Sequence, residues 1–448
     1  MFEKLRGNFF WFCDLLQGGN IRSHYNQIKY LFEGRDDDLQ RRQMQQQSIQ
    51  NLINHAKDTV AYYKQYEKVK SITDFKVIDK NIIRDSYNDF LSDKYHMKSL
   101  KQVYTSGSTG TPFKVYQDKN KRRRNAADNL FFAEKSGYKI GEKLYYIRHW
   151  DQYNKKGLLE FWLKNMVMHP ISSMADDDIE KLLDKIRKDK KNVNIISYAS
   201  GLEKIAQFIK KTSPQKAPFH NIKSILSIAE AISETSKSIL SDYFNTPVIC
   251  RYSNVENGIL SQQIVNKEDG YYINTASYYV EILDMNEDKV LPLGSMGRIV
   301  ITDLYNYAMP MIRYDTGDIG QLECVADLNN KKLVLKKIEG RKSDMIYDTR
   351  GKHISSYTVY HLLKYSHIEQ YQFIQANTKE YIFKLKVTPE FSSEKEIKRE
   401  FKDYLGEDSK ISFEYVNEIP LLSSGKRKFV VNNYHKHARK GMTEKNKT

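Results

Sequence analysis

The sequence predicts an α/β protein: a large N-terminal domain of layered α/β sheets with a small β-barrel-like part, followed by a small α+β C-terminal domain. Three observations carry this expectation. Between residues 101 and about 320, short apolar runs alternate with amphipathic stretches, the pattern of strands joined by helical crossovers. After residue 246, short strands follow one another, spaced like a twisted antiparallel sheet or a small barrel. Beyond Gly340-Arg341-Lys342-Ser343, the last hundred or so residues carry a helix-and-strand pattern of their own.

The elements follow in chain order. Residues 1–70 read as mostly helical, with Leu31-Phe32, Leu52-Ile53 and Val60-Tyr62-Tyr63 at roughly helical spacing, and the glutamine run 43–50 as an exposed helix face. Residues 71–100 carry short turns and helices, with Asp74, Asp79 and Asp85 as caps. Residues 144–147, 193–198 and 222–228 read as buried strands, and 201–211 and 235–244 as helices. In the first of these helices Leu202, Ile205, Ala206 and Ile209 share a face. Short strands are expected at 248–252, 271–274, 279–283, 297–302 and 332–338. The C-terminal domain takes strands at 371–376, 381–387 and 411–416 and helices at 362–365 and 394–405. The division is 1–340, 341–434 and a basic tail, 435–448, that frays.

Composition bounds the function. A chain of 448 residues with 40% hydrophobic and 29% charged residues has room for a large core and is not disordered. Cys13, Cys250 and Cys324 lie far apart, with no metal spacing and no disulfide framework, which points to a reducing, cytoplasmic compartment. No run reaches the ~18 apolar residues of a membrane span. The most apolar segment, residues 8–13, is too short for a signal peptide. The formal charge of +16 is spread along the chain, with clusters at 119–124 and at Lys426-Arg427-Lys428. No helix-turn-helix, zinc-finger or RRM signature accompanies it, so no nucleic-acid partner is expected and the lysines read as a solvated surface. A basic surface also attracts nucleotides and anionic lipid head groups, which leaves a peripheral place at a membrane open.

Five stretches carry chemistry. The first is Tyr104 followed by Thr105, Ser106, Gly107, Ser108, Thr109, Gly110, Thr111 and Pro112, read as strand, tight loop, strand. Two glycines let the backbone approach a bulky anion, and hydroxyls and N–H groups bond its oxygens, so a phosphate chain is the expected guest. The loop is not a Walker P-loop, which needs Gly-Lys-Ser/Thr and a helix behind it. Ser106 and Ser108 are not nucleophiles, since no Gly-x-Ser-x-Gly elbow surrounds them. The second stretch, Arg251-Tyr252-Ser253-Asn254-Val255-Glu256-Asn257-Gly258, offers a carboxylate able to hold magnesium or, more plainly, a loop glutamate. The third, residues 312–320, contains Asp318, able to accept ribose hydroxyls or to sit in an Asp-Gly turn. The fourth is Gly340-Arg341-Lys342-Ser343-Asp344, whose Arg341 suits a ribose or phosphate. The fifth, residues 419–428, places Lys426 beside a glycine, where its charge reaches a developing phosphoryl charge.

Together and in this order the stretches resemble the adenylate-forming superfamily of acyl-CoA synthetases and adenylation domains over residues 50–432. Within it the chain looks most like the phenylacetate–CoA ligase branch, especially its CapK-like relatives of polysaccharide biosynthesis. Residues 53–63, Val77-Ile78-Asp79-Lys80, Tyr198-Ala199-Ser200-Gly201-Leu202, and the second and third stretches support this. The resemblance implies that Thr105 to Thr111 wrap the ATP triphosphate and that Glu256 and Thr109 hold Mg2+. Tyr252 stacks near the adenine, and Ala229-Glu230 lie by the adenine and acyl site. Asp318 with Arg341 holds the ribose, and Lys426 stabilises the adenylation transition state. It implies a mobile C-terminal domain turning near Ser343, a small carboxylic acid substrate, and coenzyme A or an amine or hydroxyl of a glycan precursor as acceptor. Two departures stand out: Ser343 where the family hinge is usually acidic, and Tyr252-Ser253-Asn254-Val255-Glu256 where the family pattern has glycine and threonine. A scaffold of polysaccharide assembly on the same fold, and transfer of AMP to a hydroxyl, are the alternative functions. His149-Trp150 reads as a packed strand-end aromatic or an acyl-pocket wall, and His353 as a surface histidine in a glycine hairpin.

Overall fold

The structure, a computed structural model, describes the chain except residues 1, 35–38, 67, 106–112, 149, 151–163, 173, 213–218, 268–269, 328–329, 342–344, 355–357, 360–361, 363–364, 421–427 and 435–448. It divides into two compact units. One is Met1–Ile232 with Ser236–Thr316 and Gly320–Lys337; the other is Ile338–Thr448 with Ser233–Thr235 and Gly317–Ile319.

The first unit is built on one large mixed sheet. Among the described residues its strands run in the order Tyr278–Leu283, Met296–Asp303, Tyr314–Asp327, Asn330–Arg341, Tyr271–Ile273, Gly258–Gln262, Val248–Asn254, Ile222–Ile228, Val193–Tyr198, Lys143–Arg148 and Met166–Pro170. The last five pair in parallel. Their crossover helices, Asp176–Lys188, Ala199–Thr212 and Glu234–Phe244, cover the sheet, which is why strands such as Val193–Tyr198 are buried on both faces. Helix Asp176–Lys188 buries Ile179, Leu182, Leu183 and Ile186 at i, i+3, i+4 and i+7. Three aspartates in its first turn and three cations in its last complement its dipole. Val248–Asn254 is parallel to one neighbour and antiparallel to the other, so the later strands extend the same sheet. The strand order is open, which favours the twisted antiparallel sheet over the small barrel.

The helical lead-in is Phe2–Leu16, Asn20–Glu33, Leu39–Thr59 and Ala61–Lys64. The first corner turns on Gly18 and Gly19, both at positive φ. The buried Asp14 carboxylate accepts from Ile21 N (3.0 Å) and Arg22 N (2.9 Å), capping the second helix in place of a side chain at Gly19. Ile28, Leu31 and Phe32 then pack with Ala127, Phe131, Tyr272 and Val334. Asp79 caps Lys80–Asp85 through Asn81 N and Ile82 N, both 2.8 Å. Asp74 closes a capping box whose cap is Ser71. Asp85 is the last residue of its helix, not a cap, because the chain is already helical when it arrives.

Two sequence readings are corrected here. The basic run 119–124 opens a helix, Lys119–Lys135, in which Lys121 and Arg124 are fully buried. They are not part of a solvated surface: Asp303 of a distant strand meets Lys121, and Ser277 Oγ, the Ala276 carbonyl and Asp128 of the same helix meet Arg124. Residues 314–320 lie in the long strand Tyr314–Asp327, where Gly317 at φ 78° bends the strand without ending it. Strands Met166–Pro170 and Gly258–Gln262 are absent from the sequence reading, being short and poor in β-branched residues.

The second unit holds a separate four-stranded sheet in the order Lys410–Tyr415, Glu380–Val387, Ile368–Gln375, Val430–Asn432. The middle pair is antiparallel and the outer two pairings are parallel. Helix Glu394–Leu405 lays Ile397, Phe401 and Leu405 on Phe373 and Phe383. A hairpin, Ile346–Tyr347 with His353–Ile354, turns on Gly351 at φ 82°. Asp348 holds that turn by accepting from Arg350 N (2.9 Å) and Lys352 N (2.7 Å).

Candidate active site

The geometry converges on Glu256. The hairpin from Val248–Asn254 to Gly258–Gln262 turns where Asn254 Oδ1 accepts from Asn257 N at 2.8 Å. Gly258, at φ 122°, is required there: a Cβ would lie 2.8 Å from Asn125 Oδ1 and 2.9 Å from the Tyr278 hydroxyl. Tyr278 OH donates to Asn257 O (2.6 Å) and Gln117 Nε2 to Glu256 O (3.1 Å), so the turn is bonded to both neighbouring layers. The Glu256 side chain is 3% exposed, lies 2.7 Å from Lys80 Nζ, and accepts from Tyr314 OH at 3.0 Å.

Lys80 is brought there by main-chain pairing. Ile78 N donates to Arg313 O (3.0 Å) and Asp315 N to Ile78 O (2.8 Å), so the capped start of the Lys80 helix runs beside the strand that carries Tyr314. Arg313, at φ 53°, locks this junction: its buried guanidinium bonds both Glu281 oxygens at 3.2 Å and the Phe75 carbonyl at 2.8 Å. Burial raises the Glu281 carboxyl above its ordinary value despite the downward pull of Arg313.

The hydroxyl-rich loop begins from the same place. Thr105 N donates to Phe113 O (2.9 Å) and Phe113 N to Thr105 Oγ1 (3.1 Å), closing its neck at the end of the hairpin Lys101–Tyr104 with Lys114–Gln117. Lys80 Nζ and the Arg84 guanidinium stand 5.9 and 5.8 Å from the Phe113 ring. Ser106, Gly107, Ser108, Thr109, Gly110 and Thr111 lie outside the described residues, as does Lys426.

Behind Glu256 runs a buried charged floor. Lys121 Nζ is 2.6 Å from Asp303 Oδ2, both side chains fully buried, and donates to the Tyr278 hydroxyl at 3.2 Å. Arg124 donates to Ser277 Oγ (2.8 Å) and Ala276 O (2.6 Å) and stacks 3.9 Å from the Tyr305 ring centroid. Burial pushes Asp128 up against the downward pull of Arg124 and Lys121, and pushes the Tyr278 hydroxyl well above its ordinary range.

The remaining expected residues separate. Tyr252 OH bonds Thr316 Oγ1 at 3.3 Å, within the first unit. Ala229 follows strand Ile222–Ile228 in a left-handed conformation, φ 73°, which favours glycine and which a small alanine holds with less crowding than a β-branched residue would. Glu230 Oε2 accepts from Ser200 N at 3.2 Å, at the N-terminus of helix Ala199–Thr212. Two quoted stretches thus meet at the carboxyl ends of adjacent parallel strands, where open α/β sheets bind ligands. Gly201 permits this: a Cβ there would sit 2.7 Å from Ser197 Oγ. Asp318 is half-buried on its strand, within Gly317–Ile319 of the second unit. Arg341 ends strand Asn330–Arg341, also in the second unit. Trp150 is the packed aromatic of the first reading: its ring meets Tyr146 edge-on, the Arg148 guanidinium lies 5.4 Å from its centroid, and Nε1 donates to His169 O. His149 lies outside the described residues.

Lys80, Tyr314 and the Lys121–Asp303 pair had no role in the sequence reading. Lys80 and Tyr314 stand inside quoted stretches, so their signal was position beside Asp79 and Asp315. Nothing local marked Lys121. Among the described residues no cluster of three or more His, Cys, Asp or Glu forms a metal cage. Glu256 fits magnesium chemically as a single hard-oxygen donor, since that ion keeps waters and substrate phosphates as its other ligands.

Comparison with known proteins agrees with the motif reading. Residues 346–433 match the CapK C-terminal domain family. Protein CapK of Staphylococcus aureus is 23% identical over 92% of this chain and 93% of its own length. The phenylacetate–coenzyme A ligase of Pseudomonas putida is 24% identical over 68% of this chain and 71% of its own. Among solved structures, 2-hydroxyisobutyryl-CoA ligase, in the postadenylation state with 2-HIB-AMP, superposes with a TM-score of 0.70 at 16% identity, over 91% of this chain and 93% of that one. The chain has the adenylate-forming ligase fold, and its curated relatives include CapK and phenylacetate–CoA ligases.

Proposed function

We propose that this protein is an ATP-dependent adenylate-forming ligase of the acid–thiol type. It activates a small carboxylic acid as an acyl-AMP and passes the acyl group to coenzyme A or to an amine or hydroxyl of a cell-surface polysaccharide precursor. The observation that carries this reading is the buried Glu256 with Lys80 and Tyr314, next to the neck of a hydroxyl-rich loop. A buried carboxylate without a counter-charge is costly. Here the counter-charge is a lysine about one-third exposed, able to turn from Glu256 to a phosphate when a divalent ion takes its place.

In this reading Thr105 to Thr111 hold the triphosphate, and Glu256 with Thr109 holds magnesium, which when bound offsets charge on the phosphate oxygens. Tyr252 and Ala229-Glu230 border the adenine and acyl sites, and Asp318 with Arg341 takes the ribose. A carboxylate oxygen of the acid attacks the α-phosphate, and the bond to the leaving pyrophosphate breaks. Lys426, from a C-terminal domain over 341–434, places one positive charge on the crowded phosphoryl oxygens. The acyl-AMP is a mixed anhydride; the acceptor's thiol, amine or hydroxyl attacks its carbonyl carbon and AMP leaves. Positioning provides much of the rate, because the protein forms no covalent bond of its own.

The test is pyrophosphate release and hydroxamate trapping with ATP, magnesium and a panel of carboxylic acids. Release should need all three, and Lys426→Ala should lower it by about 100-fold or more. No pyrophosphate with any acid, together with no calorimetric heat on adding ATP and magnesium, would assign the fold to a scaffold. Labelled AMP appearing on an acceptor hydroxyl would assign it to AMP transfer.

A further inference from the structure

We infer that the first helix, Phe2–Leu16, is an in-plane anchor for an anionic membrane surface. Its large apolar residues Phe2, Leu5, Phe9, Phe12 and Leu16 recur at i+3 and i+4, which aligns them in one stripe along the helix. That stripe faces solvent: Phe2 is 67% exposed, Phe9 52%, Phe12 55% and Leu16 71%. The opposite side does the packing. Gly7 and Asp14 are buried; a Cβ on Gly7 would lie 3.0 Å from Ile140 O, and Trp11 meets Tyr25 edge-on. The helix is therefore docked on the body by its small and polar side, with its greasy side turned outward. Among the described residues, six of the eighteen exposed large hydrophobics fall in these fifteen residues, so the patch is not the scatter of an ordinary surface.

The charge around the stripe selects the occupant. Lys4 and Arg6 flank it on either side at helical spacing. Lys191 Nζ stands 5.5 Å from the Phe2 ring centroid, and the Arg22 guanidinium 4.5 Å from that of Trp11. Of the two acids in the helix, Asp14 is turned inward and engaged by Ile21 N and Arg22 N. An apolar ridge bordered by cations, on a chain of formal charge +16, suits acyl chains below anionic head groups. A second copy of the chain fits less well: one ridge of five side chains falls short of the roughly 800 Å² and 20–30 residues that each partner gives a stable interface. No helix among the described residues is long and apolar enough to cross a membrane, which agrees with a helix lying on one.

Vesicle flotation of the full chain tests this. The protein should float with phosphatidylcholine–phosphatidylglycerol vesicles and at least about tenfold less with phosphatidylcholine alone or in high salt. The double variant Phe9→Glu/Phe12→Glu should lose at least about tenfold of that binding while keeping its urea midpoint. A Phe9→Trp chain should gain emission that brominated lipid quenches, a readout that does not depend on the double variant folding. Equal flotation of the double variant, no flotation of the parent chain, or an unquenched Trp at position 9 would each overturn the anchor. So would a dimer that the double variant dissociates without any lipid binding.

Discussion

The two units stabilise themselves by different means. In the first, opposite charges are sealed inside: Lys121 with Asp303, Arg124 with Asp128, Arg313 with Glu281. In the second, ion pairs such as Lys379–Asp408, Lys386–Glu369 and Lys402–Glu407 lie at the surface, and the interior is aromatic, with Phe373, Phe383, Phe401 and Phe413 in mutual ring contact. Buried ion pairs are poor sources of net stability but costly to break. Their presence behind Glu256 therefore speaks for positioning: Lys121 holds Tyr278, and Tyr278 holds the Glu256 turn. The second unit needs no such network to fold.

That contrast can be broken in order of effect. Lys121→Ala strands the Asp303 charge in the core and should cost about 3–5 kcal/mol in urea denaturation. Phe383→Ala should cost a similar amount, about 3–5 kcal/mol, in the second unit's transition, but through a cavity. The two routes part on reversal: Lys121→Ala should recover when Asp303→Ala is added, whereas no charge change rescues Phe383→Ala. Lys80→Ala removes a partly exposed partner from Glu256, and should cost roughly 1–3 kcal/mol, between the values for exposed and buried pairs. A loss below that range would mean the Tyr314 hydroxyl alone satisfies the carboxylate.

Smaller still is Ala229→Val, which asks a β-branched residue to hold φ 73° and should cost about 1–2 kcal/mol, while Ala229→Gly should be close to neutral. The surface pairs come last. The Asp408 carboxyl is held down to about 2 by bonds from Lys379 and then Thr349. Its folded value lies below the ordinary one near 3.9, so its contribution is present above about pH 4 and is lost as pH falls towards 2. Lys379→Ala should raise the Asp408 titration seen by carboxyl NMR and flatten stability over that window, so that its small loss is felt at pH 7 and vanishes near pH 2.

The sequence made part of this visible, and the reason is physical. Strands Val193–Tyr198 and Ile222–Ile228 and helix Glu394–Leu405 match their expected bounds because each is an apolar pattern cut off by polar residues. Helix Lys119–Lys135 hid because its interior face is charged: Lys121 and Arg124 look like surface residues until Asp303 and Ser277, more than 150 residues away, supply their partners. Strand Tyr314–Asp327 hid because Asp315, Thr316 and Gly317 read as a turn; only pairing with Ile78 and neighbouring strands extends them. At the site, motif order drew attention to Glu256, while the part played by Lys80 follows from backbone pairing that no local window contains.

The packing of the second helix has a consequence for synthesis. Phe32 sits in a cluster with Val334, and its carbonyl accepts from Lys332 Nζ, 300 positions later. At ~5–20 residues per second, a nascent chain carries that helix for roughly 15–60 s before its last covering strand has been made. Before residues 259–334 of the same cluster are made, Ile28, Leu31 and Phe32 depend chiefly on helix Lys119–Lys135 for shelter. A chaperone arriving early should therefore find this N-terminal helix pair, and a stalled ribosome short of residue 334 should leave it sticky.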